Sequence, residues 1–120
     1  KLIKYLKKLK KVYKFELHIR SIFFQGIIFQ SYKNIPNNLN YLKKKIHLID
    51  NLSKFYRSTI YDIAISSIGN LKLADYAIIG ISNYKEYLRI NKYKEININK
   101  RLINKIILKK SLTNLKNKNN

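Results

Sequence analysis

The sequence predicts an α/β fold, in which a basic N-terminal helix precedes a small parallel sheet built from βαβ units. Two short apolar runs, 46–49 and 76–79, have the length and composition of buried strands, and helical periodicity fills the chain between them. The chain is 46% hydrophobic, which is enough apolar material for a core, although its formal net charge is +20 in 120 residues. An all-helical bundle is the alternative fold, but Gly80 ends the second run as it would end a strand.

The first segment, residues 1–25, is predicted to be a basic amphipathic helix. Its apolar positions recur at helical spacing, at Leu2, Leu6, Leu9 and Tyr13. Lysines stand between and around them, at positions 1, 4, 7, 8, 10, 11 and 14. The pattern becomes more apolar toward Phe24, and Gly26 is expected to end it.

An α/β core is predicted over residues 26–113, and an Asn/Lys-rich tail over residues 114–120. The expected core elements are a loop at 30–40, a strand at 46–49, a helix at 52–68 that ends at Gly69, a strand at 76–79, a helix at 84–92, a short strand at 96–98 and a helix at 101–110. Asp50 or Asn51 is expected to cap the first of these helices.

Composition argues against several classes of site. The chain contains no cysteine, and therefore no disulfide or thiolate metal site. Three isolated glycines do not make a phosphate-cradling loop. The most apolar run, 22–29, is too short to span a membrane. No cofactor, metal or small-molecule substrate is expected.

Catalysis has little support among the titratable residues. Asp50 and Asp62 are twelve positions apart, and capping explains Asp50 better than acid–base chemistry does. His47 lies in an apolar run, which is typical of a hydrogen-bonded core histidine, and His18 has no acid or nucleophile at a meaningful spacing. The six acidic residues are expected to serve as internal counter-charges, and the chain is expected not to be an enzyme.

The charge predicts a polyanionic partner. Lys and Arg total 26 against six Asp and Glu, so the folded chain repels itself unless a polyanion neutralises it. Nucleic acid is the first candidate and an anionic membrane surface the second. The residues expected to contact RNA phosphates include Lys4, Lys7, Lys8, Lys11, Lys43, Lys44, Lys45 and Arg101. The lysine triplet is predicted to form a phosphate clamp at the start of a buried strand, with a solvated loop as the alternative.

The choice of residues indicates an AT-rich genome. Lys, Asn, Ile and Tyr have AT-rich codons and dominate, whereas the chain has only four arginines, three glycines and one proline. Part of the lysine excess therefore replaces arginine, and the ten tyrosines are better read as core filling than as base-stacking groups. An organelle or a reduced organism fits such a genome.

A series of short motifs resembles those of one family, small-subunit ribosomal protein two of the bacterial and organellar type. The similar segments, in family order, are Phe23-Phe24-Gln25-Gly26-Ile27-Ile28-Phe29, Ile35-Pro36, Tyr41-Leu42, Ile46-His47-Leu48-Ile49-Asp50, Ile78-Ile79-Gly80-Ile81-Ser82, Asn99-Lys100-Arg101 and Leu112-Thr113-Asn114-Leu115-Lys116. The strongest of them is Ile46–Asp50, which is a strand in the family. The resemblance covers about residues 20–116 and only the first half of a typical family member.

The resemblance implies half of a flavodoxin- or Rossmann-like parallel sheet, with 46–49 and 77–79 as adjacent strands. It implies a structural protein of the small ribosomal subunit, in a mitochondrial ribosome given the codon bias. Small-subunit ribosomal RNA and neighbouring ribosomal proteins are the implied partners. It adds Lys100, Thr113, Asn114 and Lys116 to the expected RNA contacts.

Two other function classes stay open. The first is a peripheral membrane or accessory subunit of an organellar complex, with the basic helix lying on anionic lipid. The lysines continue through the whole chain instead of concentrating in that helix, which makes a membrane partner the weaker expectation. The second is a small nucleic-acid enzyme, which requires a carboxylate cluster or metal site that the sequence does not supply.

Overall fold

The computed structural model describes residues 2–106, which form five α-helices and one two-stranded parallel sheet. The elements are α1 (Leu2–Val12), β1 (His18–Arg20), α2 (Asn40–Phe55), α3 (Ile60–Gly69), β2 (Tyr76–Ile78), α4 (Tyr84–Asn91) and α5 (Lys100–Ile106), with 3₁₀ segments at Phe24–Phe29, Tyr32–Asn34 and Asn37–Leu39. The fold therefore mixes helices with a small parallel sheet, and the larger sheet implied by the family resemblance is not formed by residues 2–106.

The N-terminal helix is shorter than the predicted span of 1–25. Helix α1 ends at Val12, and residues 18–20 further along pair as β1 with a distant strand. The alternation of Leu17, His18, Ile19 and Arg20 suits a strand, because exposed and half-buried side chains alternate along it. This alternation is too short to identify a strand by itself, because it lasts only four residues and the strand needs its partner in order to form.

The predicted strand at 46–49 is wrong, because these residues belong to helix α2. Leu42, Ile46 and Ile49 are buried at helical spacing, while His47 between them is exposed. A four-residue apolar run does not distinguish a strand from a helical segment, and here the helical period continues on both sides. The expected burial of His47 is therefore wrong as well.

The helix predicted over 52–68 is two helices. Helix α2 ends at Phe55, the chain reverses through Arg57 with a φ of 49°, and α3 begins at Ile60. Thr59 and Asp62 form a capping box, in which each side chain accepts a hydrogen bond from the other residue's backbone N–H. Asp50 and Asn51 both lie inside α2, so the predicted capping role is wrong for either residue, but α3 does end at Gly69.

The parallel sheet pairs β1 with β2, so that His18, Ile19 and Arg20 lie beside Tyr76, Ala77 and Ile78. The prediction of a strand from residue 76 is confirmed, but its neighbour is β1 instead of 46–49. Asp75 fixes the register at the start of the pair, because its carboxylate accepts the Leu17 N–H at 2.7 Å and its own N–H donates to the Leu17 carbonyl at 2.9 Å.

The predicted helix at 84–92 is confirmed as α4, whereas the predicted strand at 96–98 is wrong. The side chains of Ser66 in α3 and of Asn70, which follows α3, bind this segment in place of another strand. The Ile96 N–H donates to Ser66 Oγ at 2.9 Å, and Asn70 donates to the Ile96 carbonyl at 2.8 Å and accepts from the Ile98 N–H at 3.3 Å. The helix expected over 101–110 is α5 up to Ile106, and its remainder and the tail at 114–120 lie outside the described residues.

One apolar core joins helices α1, α2, α3 and α5. Its buried side chains come from 28–73 and 98–106: Ile28, Ile35, Leu42, Ile46, Ile49, Leu52, Ile63, Ala64, Leu71, Leu73, Ile98, Ile103 and Ile106. Ile3 and Leu6 of α1 pack against this core. Between residues 2 and 106, no helix combines the length and the apolar character needed to cross a membrane.

Candidate nucleic-acid interface

Helix α1 presents four of the predicted RNA-binding lysines on one side. Lys4, Lys7, Lys8 and Lys11 follow the i, i+3, i+4, i+7 spacing of a single helical face. Lys4, Lys8 and Lys11 are exposed and Lys7 is half-buried. Because Ile3 and Leu6 hold the helix on the core, these ammonium groups project from a supported helix. We call Lys4, Lys7, Lys8 and Lys11 the α1 lysine face.

Lys10 has a different position from the α1 lysine face. Its ammonium group donates to the Leu73 carbonyl at 3.2 Å and forms an ion pair with Asp75. Asp75 also accepts the Leu17 N–H, so Lys10 connects α1 to the start of the sheet. The hydrogen bond from Lys10, followed by that from Leu17, holds the pKa of Asp75 below its usual value. Lys10 therefore anchors the helix that carries the lysine face.

The lysine triplet does not form the predicted phosphate clamp at a strand start, because it lies in the second turn of α2. Consecutive helical residues point about 100° apart, so Lys43, Lys44 and Lys45 diverge. Lys44 is exposed, whereas Lys43 and Lys45 are half-buried. The Lys45 ammonium group donates to the Lys105 carbonyl, which belongs to the last turn of α5. Lys45 thus links two helices, and Lys44 is the member of the triplet most accessible to a partner.

Lys100 and Arg101 begin helix α5, and both are exposed. The Arg101 N–H donates to Asn99 Oδ1 at 2.9 Å, which satisfies a backbone donor at the helix start. Helix α2 packs against α5, so Lys44, Lys100 and Arg101 lie on neighbouring helices. The other predicted contacts, Thr113, Asn114 and Lys116, lie outside the described residues.

The acidic side chains bind groups within the protein. Asp50 pairs with Lys54 at 2.6 Å, Glu16 lies 3.2 Å from the His18 ring, and Glu86 accepts the Ser82 N–H at 2.8 Å. With Asp62 in the capping box and Asp75 bound to Lys10, five of the six acidic residues have an internal partner. The prediction of internal counter-charges is confirmed for Asp50 and Asp75, which pair with Lys54 and Lys10. The partners of Asp62 and Glu86 are neutral hydrogen-bond donors.

Asp62 is the most completely bonded of these carboxylates. It accepts from Ser58 Oγ and Thr59 Oγ1, each at 2.7 Å, and from the N–H groups of Thr59 and Lys94, at 3.1 and 2.7 Å. Burial acts to raise the pKa of Asp62, but these hydrogen bonds outweigh burial and hold the pKa below its usual value. Asp62 therefore stays ionised and joins the start of α3 to the segment after α4.

The two histidines lie on separate elements, His18 in β1 and His47 in α2. The exposed His47 has its Nδ1 3.1 Å from the Asn51 amide nitrogen, one helical turn along α2. The ring of His18 lies 4.9 Å from that of Tyr76 on the neighbouring strand. Within residues 2–106, no three His, Asp or Glu side chains are grouped so that they could hold a metal ion.

Two arginines that the sequence analysis passed over occupy informative positions. Arg20 is exposed at the end of β1, and the Arg89 guanidinium lies 5.0 Å from the centre of the Tyr61 ring. The sequence signal that points to them is the scarcity of arginine: most basic residues of this chain are lysines, and only four are arginines. The same reasoning selected Arg101 but was not extended to the other three.

Comparisons with protein-family models, with curated proteins and with solved structures found no match. The positions of the basic side chains in residues 2–106 are therefore the main evidence for a function. The strongest of the family-like motifs, Ile46–Asp50, is helical in this structure.

Proposed function

We propose that this protein binds RNA through the phosphate backbone and has a structural role in a ribonucleoprotein particle. The observation that carries the proposal is the α1 lysine face, which stands on a helix held to the core by Ile3 and Leu6 and to the sheet by Lys10. Supported cations of this kind position a protein on phosphates and release condensed counterions.

The distribution of acidic groups supports the same partner. Six carboxylates stand against 26 lysines and arginines, and only Asp50 and Asp75 pair with a lysine among the described residues, so most of the positive charge is left to attract a polyanion. Lys44, Lys100 and Arg101 supply a second basic surface on α2 and α5. Arg101 suits bidentate contact with a phosphate.

The salt dependence of RNA affinity tests the proposal. Each phosphate contact contributes about 0.7 to 0.9 to the slope of log affinity against log salt concentration. Removing three contacts with the triple variant K4Q/K8Q/K11Q is therefore expected to reduce the slope by about 2 to 3. The measurement is fluorescence anisotropy of a labelled RNA hairpin at several salt concentrations.

The control variant K33Q/K85Q/K92Q removes the same total charge from exposed lysines outside α1. It is expected to leave the slope closer to that of the unmodified protein. Equal slopes for the two triple variants would show that only net charge matters and that α1 is not the interface. A salt-independent affinity for RNA would refute the whole mechanism.

The more specific version of the proposal places the chain in the small subunit of a mitochondrial ribosome, in contact with ribosomal RNA and neighbouring proteins. Its support is the order of the family-like motifs, although 46–49 is helical and only the first residue of the motif Ile78–Ser82 lies in a strand. This version also expects a larger parallel sheet than the two strands of residues 2–106. Co-sedimentation with purified small ribosomal subunits tests it, with binding to an unrelated hairpin RNA as the control for non-specific attraction.

A peripheral membrane role is the second candidate, because α1 also exposes apolar side chains. Tyr5 and Val12 are exposed on the same helix as the α1 lysine face, and Tyr13 follows them. A helix with lysines and exposed aromatic or aliphatic groups can lie on anionic lipid. Flotation with vesicles that contain phosphatidylserine distinguishes the two functions, since strong flotation without salt-dependent RNA binding would favour the membrane.

A further inference from the structure

A cleft of about 790 Å³ opens at the carboxyl ends of the two parallel strands. Its walls are formed by the segment after β1, by the segment after β2, and by side chains of α3 and α4. Ligands of parallel α/β sheets bind outside the carboxyl ends of the strands, and pockets of this size hold small organic ligands. No residue of the α1 lysine face lines the cleft, so it is a separate surface.

One wall of the cleft is aromatic. Phe29 stacks on Tyr61 with ring centres 4.3 Å apart and an interplanar angle of 23°, and Phe23 contacts these two rings at 5.2 and 5.1 Å. Tyr61 is only 7% exposed and lies beneath Arg89, whereas Phe29 is 37% exposed. Tyr61, which is buried, and Phe23, which is half-buried, hold Phe29 in place, and the Phe29 ring offers aromatic surface to an incoming group.

The strand side of the cleft is apolar and uncovered among the described residues. Ile78, at the end of β2, is 53% exposed, and Ile81 just beyond it is also exposed. Large aliphatic groups that border a cavity together with an exposed aromatic ring are typical of a binding site.

The charges of the cleft favour an occupant whose anionic group lies near Arg20 and away from Glu86. Glu86 lines the cleft, and its carboxylate accepts the Ser82 N–H at 2.8 Å, so negative charge already occupies the start of α4. A phosphate is therefore disfavoured beside Glu86. Arg20, exposed at the end of β1, supplies positive charge on another wall.

We propose that the cleft binds one unpaired base of the RNA, which stacks on Phe29 while an adjoining phosphate lies at Arg20. A base has the flat apolar faces that Phe29 and the isoleucines fit, and it always comes with a phosphate that Arg20 attracts. The inference rests on the proposed RNA binding and adds to it a base-stacking contact that salt does not screen. The α1 lysine face contributes the phosphate contacts, and the cleft contributes a preference for RNA with a base outside a helix.

The test uses two RNA hairpins that differ at one position. The first carries a single bulged 2-aminopurine, whose fluorescence falls when the base stacks on an aromatic ring, and the second has an abasic site at the same place. The unmodified protein is expected to bind the first hairpin about tenfold more tightly than the second and to quench its fluorescence.

Phe29→Leu removes the ring from the cleft, and Phe55→Leu is the matched control because Phe55 is 76% exposed on α2 and does not line the cleft. Phe29→Leu is expected to lose the preference for the bulged base and the quenching while the salt slope stays unchanged. Phe55→Leu is expected to retain all three. Circular dichroism of both variants checks that each is folded.

Equal affinity of the unmodified protein for the two hairpins, without quenching, would overturn the inference and leave phosphate binding intact; this result does not depend on the folding of any variant. Absence of salt-dependent binding to either hairpin would overturn the proposed function together with the inference. If sedimentation without RNA shows a dimer that Phe29→Leu dissociates, the cleft is a contact between two copies of the chain and the inference is wrong.

Discussion

The helix pair α2–α3 and the strand pair β1–β2 differ in how completely their apolar side chains are covered. Between α2 and α3, Ile46, Ile49 and Ile63 are buried, and Ile63 is wholly inaccessible at 0% exposed. In β2, all three residues are exposed. The helix pair therefore contributes most to folding stability, whereas the strands leave open apolar surface at their carboxyl ends, where binding sites of parallel sheets form.

The largest expected effect comes from truncating the helix core. Ile63→Ala is expected to cost about 3 kcal/mol of unfolding free energy, because it leaves a cavity where α3 meets the rest of the core. The control, Ile78→Ala in the exposed strand, is expected to cost about 0.5 kcal/mol or less. Urea unfolding followed by circular dichroism measures both. Similar losses for the two variants would show that the strands are as important to stability as the helices.

The next effect in size tests the polar junction between α3 and the segment after α4. Asp62→Asn is expected to cost about 2 kcal/mol at neutral pH, because it removes a charged acceptor shared by Ser58, Thr59 and Lys94. The pKa of Asp62 is lowered in the folded state, so its contribution is present above the ordinary aspartate pKa and is lost as pH falls through the lower, folded value. The unmodified protein should therefore lose more stability than Asp62→Asn when acidified below about pH 4.

The matching measurement is the urea midpoint of both proteins at a series of pH values. Asp75 also has a lowered pKa and is present in both proteins, so the difference between the two curves isolates Asp62. Parallel curves would mean that Asp62 titrates alike in the folded and unfolded chains and that its hydrogen bonds do not favour the ionised form.

A smaller effect is expected at the cap of α3. Thr59→Ala is expected to cost about 1 kcal/mol, because Thr59 Oγ1 accepts the Asp62 N–H and donates to its carboxylate. Thr59→Ser keeps a hydroxyl group at the same position and should recover most of the loss. If serine and alanine are equally destabilising, the methyl group of Thr59 and not the cap is what stabilises the helix start.

The sequence predicts those elements whose signals lie within the element itself or beside it. The strand at 76–78 and the helix at Tyr84–Asn91 follow from local patterns, since Gly80 and the periodicity at 84–92 lie within the elements themselves or beside them. The error at 46–49 arose because four apolar residues fit either period. The error at 52–68 was avoidable, because Thr59 and Asp62 have the spacing of a capping box and mark the start of a second helix.

The remaining features depend on partners that are distant in the chain. Strand β1 exists because β2 lies beside it, and 96–98 is not a strand because Ser66 and Asn70 bind its backbone. At the candidate interface, helical spacing predicts the α1 lysine face. No local signal distinguishes Lys45, whose ammonium group binds a carbonyl sixty residues away, from its exposed neighbour Lys44.

The smallest expected change in stability separates anchoring from binding within one helix. Lys10→Gln and Lys8→Gln remove the same charge from α1, but only Lys10 contacts the Leu73 carbonyl and Asp75. Lys10→Gln should therefore speed amide hydrogen exchange in α1, because the helix loses a link to the start of the sheet. Lys8→Gln should leave exchange unchanged and instead lower the salt slope of RNA binding by slightly less than one.

Hydrogen exchange by mass spectrometry and anisotropy titrations on the same two variants give these readouts. If Lys8→Gln alters exchange and Lys10→Gln alters the salt slope, the two lysines have the opposite roles. If both variants alter both quantities equally, the anchoring and binding functions of α1 are not separable. The expected crossed result would show that α1 is fixed through one lysine so that its neighbours can meet phosphates from a defined position.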